Sequence, residues 1–292
     1  MHSFLTAIGY SSLKNRQEEE ALIQEALTNA QEKHIFASEK KKIAELSFEV
    51  AEDIGIVVRG EYDGEDRFHA EHYFPYIKGK NISMREEVYI SKRVDGDAYT
   101  GMCDDYRLGV SMIFYLQNAV DYMKARFFQE EHPLYHPVTL AGLAQEGKIL
   151  LPVKKDKNTE MIRNADLSHR SQLISEAKRG NQEAMESLTL DDIDLYSSVT
   201  KRIQKEDIYS IVDTSFIPYG SESDNYTVLG TIEEVRMLEN ERTGEELYVM
   251  CLDCNQMKFE VCINRRNLLG EPLAGRRFRG VVWMQGNVDF NA

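Results

Sequence analysis

Residues 226–263 read YTVLGTIEEVRMLENERTGEELYVMCLDCNQMKFEVCI. Three apolar, β-branched runs are separated by polar turns, one at Arg242-Thr243-Gly244 and one at Asp253-Cys254-Asn255-Gln256, which is the pattern of consecutive antiparallel strands. The strands cover 226–237, 247–252 and 257–263, with a fourth at 277–284, a short fifth at Val288 and a small helical turn near Asn267. Short strands in this number suit a compact OB-like barrel, with a small open sheet as the close competitor.

Working outward, residues 165–213 carry helical spacing apart from a break at Gly180-Asn181. Thr189 and Asp192 form a variant capping box ahead of a stripe at Ile193, Tyr196, Val199 and Ile203. The charged run Lys154-Lys155-Asp156-Lys157-Asn158 is the best boundary before this helical stretch. Earlier still, Pro133 and Pro137 break the chain around His132 and His136, and residues 139–153 read as a hairpin turning near Gly147.

Residues 43–116 read as an antiparallel meander, with Asp63-Gly64 and Asp95-Gly96 as tight turns. A helix with Val120, Met123 and Phe127 on one face follows it. Another precedes it, from Arg16 to about Glu32, with Leu22, Ile23, Ala26, Leu27 and Ala30 at helical spacing and Glu18, Glu19 and Glu20 at its dipole-favoured start. The two helices are expected to cover one face of the sheet. Residues 4–10, short and apolar, read as a buried strand. The expected class is α+β: an antiparallel-sheet domain with covering helices over 1–157, a helical connector over 158–224, and a small all-β, barrel-like domain over 225–292.

A chain of 292 residues with 42% hydrophobic residues has the material for substantial cores. Its 35 Lys and Arg against 49 Asp and Glu leave a formal charge of −14, spread along the whole chain. Such a body is repelled by phosphate backbones and anionic membranes, which excludes a general nucleic-acid coat and disfavours nucleic acid as a partner. No apolar run approaches the roughly 20 residues of a membrane span. The opening MHSFLTAIGY has no basic n-region, so the expectation is a cytoplasmic protein with no membrane partner. Cys103, Cys251, Cys254 and Cys262 are too few for a disulfide framework and read as reduced thiols.

Cys251-Leu252-Asp253-Cys254 with Cys262 hints at zinc, but a closed tetrahedral shell needs a fourth ligand and every histidine lies at or before His169. Small apolar thiols at a hairpin are the plainer reading. His69 and His72, three apart on a strand, point to opposite faces. His132 and His136 would converge on a helix, which the neighbouring prolines oppose. No metal site and no cofactor is expected. Cys103, in Gly101-Met102-Cys103-Asp104-Asp105, would need a base such as His69 or His132 brought to it by the fold to act as a nucleophile. No phosphate-binding loop, dinucleotide fingerprint, nucleophile elbow or His-Glu-x-x-His motif is present, and no catalytic residue is assigned.

Charge supplies the last candidate. Lys258, Arg265, Arg266, Arg276, Arg277 and Arg279 face only Glu260 and Glu271 over residues 258–280, with Phe278 and Trp283 alongside. Arginines and aromatic rings on a barrel face are how single strands are held, which makes Arg276, Arg277, Arg279 and Trp283 the binding candidates. Against this, Trp283 sits among Val281, Val282 and Met284, the setting of a buried ring, and charge runs more often pair within their own chain.

Three stretches carry a family resemblance. They are Met1-His2-Ser3 with Ala7-Ile8-Gly9-Tyr10; Glu206-Asp207-Ile208 through Ile211-Val212-Asp213 to Phe216-Ile217-Pro218-Tyr219-Gly220; and Gly270-Glu271-Pro272 with Gly275-Arg276-Arg277-Phe278-Arg279-Gly280 and Trp283-Met284-Gln285-Gly286. In these the chain resembles the bacterial family of domain of unknown function 3881. The resemblance implies no activity, ligand or catalytic residue, but it implies that the whole chain is one evolutionary unit. The functional expectation is a non-enzymatic binding or interaction protein, with a protein partner or self-association. Its alternatives are single-stranded nucleic-acid or oligosaccharide binding by the barrel-like domain, and an enzyme of unassigned class with a site on the N-terminal sheet.

Overall fold

The computed structural model describes residues 2–39, 41–93, 98–105, 107, 110–128, 135–153, 169, 172–173, 176–177, 179–190, 212–221 and 223–290. The first apolar run is not a strand but a 3-10 turn, Ser3–Ile8, closed by Gly9 at φ 93°. Phe4, Leu5, Ala7 and Ile8 are all buried, so the run is apolar because it is inserted between other elements; so short a run has no period to separate the two conformations. Helix α1 (Arg16–Thr28) is capped by Asn15, whose side chain accepts from Glu18 N, and it buries Leu22 and Ala26. It stops one turn short of the sequence expectation, because the chain enters a strand at Glu32.

Strands β1 (Glu32–Ala37), β2 (Lys42–Ala51), β3 (Ile54–Tyr62) and β4 (Phe68–Ile77) form a four-stranded antiparallel meander. In the β3–β4 turn the left-handed residue is Asp66, at φ 62°, and Asp63 Oδ1 accepts from the amides of Glu65 and Arg67. The strands β5 (Met84–Glu87), β6 (Tyr89–Lys92), β7 (Tyr99–Asp105) and β8 (Val110–Leu116) come next; Asp95-Gly96 lies outside the described residues.

Helix α2 (Ala119–Phe128) buries Val120 but leaves Phe127 60% exposed, against Phe36 at 5.5 Å between ring centroids. The two helices do not share a sheet face. Val120 N, on α2, donates to Glu45 Oε2, whereas Arg242 reaches Glu25 of α1 and lies over the Phe48 ring. Glu45 and Phe48 differ by an odd number along β2, so α1 and α2 lie on opposite sides of the meander. On the α2 side Glu45 pairs with Arg59 at 2.5 Å, both almost fully buried.

The remaining strands are β9 (Tyr135–Leu150), β10 (Ser215–Pro218), β11 (Asn225–Glu239), β12 (Glu246–Cys254), β13 (Met257–Asn264), β14 (Leu268–Leu269) and β15 (Arg277–Val288). The expected 139–153 hairpin is one 16-residue strand, β9, and Gly147 does not turn it. Instead Gly147 stands opposite Gly280 of β15, and the Phe278 ring fills the space that a Cβ on either would need, at 2.3 and 2.6 Å.

The pairing β11–β12–β13–β9–β15 returns from β15 to β11, so five strands of the 11-stranded sheet close a ring. Only β13–β9 is parallel within it. Val228, Ile232, Met250, Leu252, Phe259, Val261, Ile263, Phe278, Val282 and Met284 form its apolar filling. Strand β9 comes from the 1–157 segment and its neighbours β13 and β15 from the 225–292 segment; β8, β7 and β6 extend the sheet from β15. Within 158–224, residues 182–190 are helical after Gly180 at φ 89°, and β10 is a strand. Thr189 is inside that helix, its Oγ1 donating to Met185 O, so it does not cap a following one; Asp192 and the Ile193 stripe lie outside the described residues. No helix among the described residues is long and apolar enough to cross a membrane.

Candidate functional site

Alternation along β15 sends Phe278, Val282 and Met284 into the ring and Arg277, Arg279 and Trp283 to its outside. Arg277, Arg279 and Trp283 therefore share a strand but not a surrounding, and Arg276 stands just before it. Arg276 Nη1 donates to Glu271 O at 2.7 Å, a local brace. Arg277 is 4% exposed and ties two segments together, with Nε donating to Leu151 O at 3.0 Å and Nη1 to Val212 O at 2.8 Å. Burial lowers its pKa from the ordinary arginine value.

Trp283 is buried, as its apolar neighbours in sequence foretell. Its Nε1 donates to Asp224 Oδ2 at 3.0 Å, and Arg93 reaches the same oxygen at 3.1 Å. Phe4, His2 and Tyr115 pack around the indole at 5.2, 4.9 and 5.1 Å between ring centroids. No base could stack on it.

Arg279 is the candidate that reaches a cavity. It lines a groove of about 500 Å³ on the outside of the ring, a volume in the usual range for small-molecule sites. Lys148 stands directly opposite Arg279 in the β9–β15 register and lines the same groove. Glu146 is on the same wall. Tyr219 and Leu269, 51% and 75% exposed, flank the groove. Tyr219 is held there by its amide, which donates to Asn225 O at 2.8 Å, and Leu269 by the short parallel pairing of β14 with β9. Lys148, Tyr219 and Leu269 carried no signal in the sequence, since a long-range register brings them to Arg279.

The cysteine and histidine candidates do not assemble. Cys103 is buried with Sγ 3.3 Å from Met84 Sδ, and burial pushes its thiol up to about 12, so no thiolate is available at neutral pH. Asp105 pairs instead with Arg107. Cys254 faces the ring interior, Cys262 donates to Ala7 O under the 3-10 turn, and half-buried Cys251 is raised to about 11. His69 meets Asp63 at 2.8 Å, whereas His72 meets Tyr115 OH at 3.0 Å. His136 is buried against Phe290 and Asp289 O, and His132 lies outside the described residues. Among the described residues, no three His, Cys, Asp or Glu side chains form a group able to hold a metal ion.

A ring completed by an early strand, a groove on its wall and a sealed tryptophan describe a mixed α+β protein. A family model described as a domain of unknown function from an E. rectale gene, DUF3881, matches residues 5–286, and the chain belongs to this family. Neither a curated protein nor a solved structure matches it.

Proposed function

We propose that this is a non-enzymatic binding protein that takes a small anionic ligand into the groove beside β9 and β15. The observation that carries the reading is the placement of Arg279 opposite Lys148 at the groove wall, beside exposed Tyr219 and Leu269. A phosphorylated or carboxylated ligand with an apolar or sugar body matches cations on one side and an aromatic ring on the other.

The ring supports an OB-like reading in a permuted chain order. With β11, β12 and β13 as the first three strands, β15 stands as the fourth and β9, from earlier in the chain, as the fifth. Proteins of that class bind nucleic acid or sugar chains on the face of the second and third strands. Here the outward residues at one end of β12 and β13, Leu247, Val249 and Cys262, are buried in one cluster with Phe4, Leu5, Ala7 and Ile8. Asn264 also donates to Thr6 O. Cover over this end of the face weighs against a single strand running its length, although Cys251 and Lys258 at the other end line a cavity of about 380 Å³. The same pairing supports treating the 1–157 and 225–292 segments as one body.

Calorimetric titration of the full chain at low salt with glucose 6-phosphate, glucose, maltotriose and a labelled single-stranded oligonucleotide tests the reading. The sugar phosphate is expected to bind saturably and glucose not to bind. Arg279→Glu is expected to weaken the sugar phosphate by at least about tenfold, which is about 1.4 kcal/mol. Equal affinity in the variant, or no anion binding at all, overturns the proposal. Binding of maltotriose or the oligonucleotide instead installs the corresponding alternative.

A further inference from the structure

A second cavity, of about 80 Å³, lies on the α2 side of the four-stranded sheet, far below the usual size of a sugar or nucleotide site. Tyr76 lines it and is 2% exposed, yet its hydroxyl has no hydrogen-bond partner. A buried hydroxyl in that state points to a missing partner. Tyr76 stands opposite Gly55, so no side chain separates its ring from β2; its charged neighbours are Glu49, Glu32 and Asp53, with Lys78 Nζ 5.8 Å from its ring centroid.

The other walls offer acceptors. Gln117 spends its Nε2 on Ile77 O and Gln285 Oε1, which leaves its oxygen for the cavity. Glu32 and Asp121 present carboxylates. The charges around the space are Glu32, Glu45, Glu49, Asp53 and Asp121 against Arg59, Lys78, Lys80 and Lys124, with Lys80 3.5 Å from Asp53. Lys78 is shared by Glu32 at 2.9 Å and Glu49 at 3.5 Å; Arg59 serves Glu45, and Lys124 serves Asp121 at 3.2 Å. One carboxylate is in surplus, with His34 3.5 Å from Asp121 as the remaining titratable neighbour.

We propose that this cavity is a binding site for a primary ammonium group, free as a small alkylamine or at the end of a larger ligand. An ammonium has three donors and no acceptor, which matches the Tyr76 hydroxyl oxygen, the Gln117 oxygen and a carboxylate, and its single charge matches the surplus. The site shares no residue with the Arg279 groove, so the two proposals stand or fall separately.

Thermal unfolding of the full chain, titrated with methylammonium chloride against sodium chloride and tetramethylammonium chloride at equal ionic strength, provides the test. Methylammonium is expected to raise Tm saturably, and the other two salts are not, since neither offers an N–H donor. Tyr76→Phe is expected to weaken the apparent affinity at least fivefold, and Asp121→Asn at least tenfold, while Arg279→Glu leaves it unchanged. If Asp121→Asn fails to fold, Tyr76→Phe alone decides. An equal response to all three salts, or affinity unchanged in Tyr76→Phe, overturns the proposal and leaves a cavity that holds only water.

Discussion

Arg279 and Trp283 leave β15 on the same side, four residues apart, and end in opposite surroundings. Around Trp283 the N-terminal turn, Tyr115 and Asp224 close over the ring until 5% of it is exposed. Around Arg279 the neighbouring strand β9 carries Lys148 and Glu146, and a groove stays open. The strand is the same; what differs is the cover supplied by distant segments. The wall of the ring therefore becomes core or open groove according to what lies over it.

The difference is tested most severely by Trp283→Ala, which removes the centre of the sealed end. It is expected to cost about 3–5 kcal/mol, read as a fall in denaturation midpoint. A loss below about 1 kcal/mol would mean that the seal is loose and the two ends are alike.

Acid acts on the same end. Burial, with His72 as the next cause, lowers the pKa of His2 to about 4. The unfolded chain takes up this proton near 6.5 and the folded one only near 4, so the contribution is complete above pH 6.5 and fades as pH falls towards 4. The loss is at most about 3 kcal/mol, reduced by the partial exposure of His2. Stability measured from pH 7 to 4 is expected to slope less steeply in His2→Gln.

Asp224→Ala comes next, at about 2 kcal/mol, because it strands the indole N–H and takes away the carboxylate that Arg93 reaches. Arg279→Ala closes the series. Its stability is expected to stay within about 0.5 kcal/mol of the parent, as for most substitutions at open surfaces. A larger destabilisation would make Arg279 a brace like Arg277 and remove the contrast.

The sequence foretold one of these ends better than the other. Trp283 reads as buried because Val281, Val282 and Met284 flank it, a local signal that the fold bears out. The strands of 226–288 and helix α1 are legible for the same reason, since period and turn residues act over a few positions. Lys148 was illegible as a partner for Arg279 because their relation is a register between strands far apart in the chain. Gly147 misled for a related reason: a glycine required by the Phe278 ring looks, in isolation, like a glycine required by a turn. Arg277 carried the sequence signature of a surface cation, and only the carbonyls of Leu151 and Val212 reveal it as a buried clamp.

The ring closed by β9 also sets an order of events during folding. Strand β9 emerges long before β13 and β15, so beyond the residues 135–138 that pair with β5 its edges wait unpaired while the intervening chain is made. Contacts such as Cys262 with Ala7 O, 255 residues apart, likewise wait for β13. Such high contact order predicts slow closure and a nascent chain with exposed strand edges, dependent on protection from aggregation until β15 arrives.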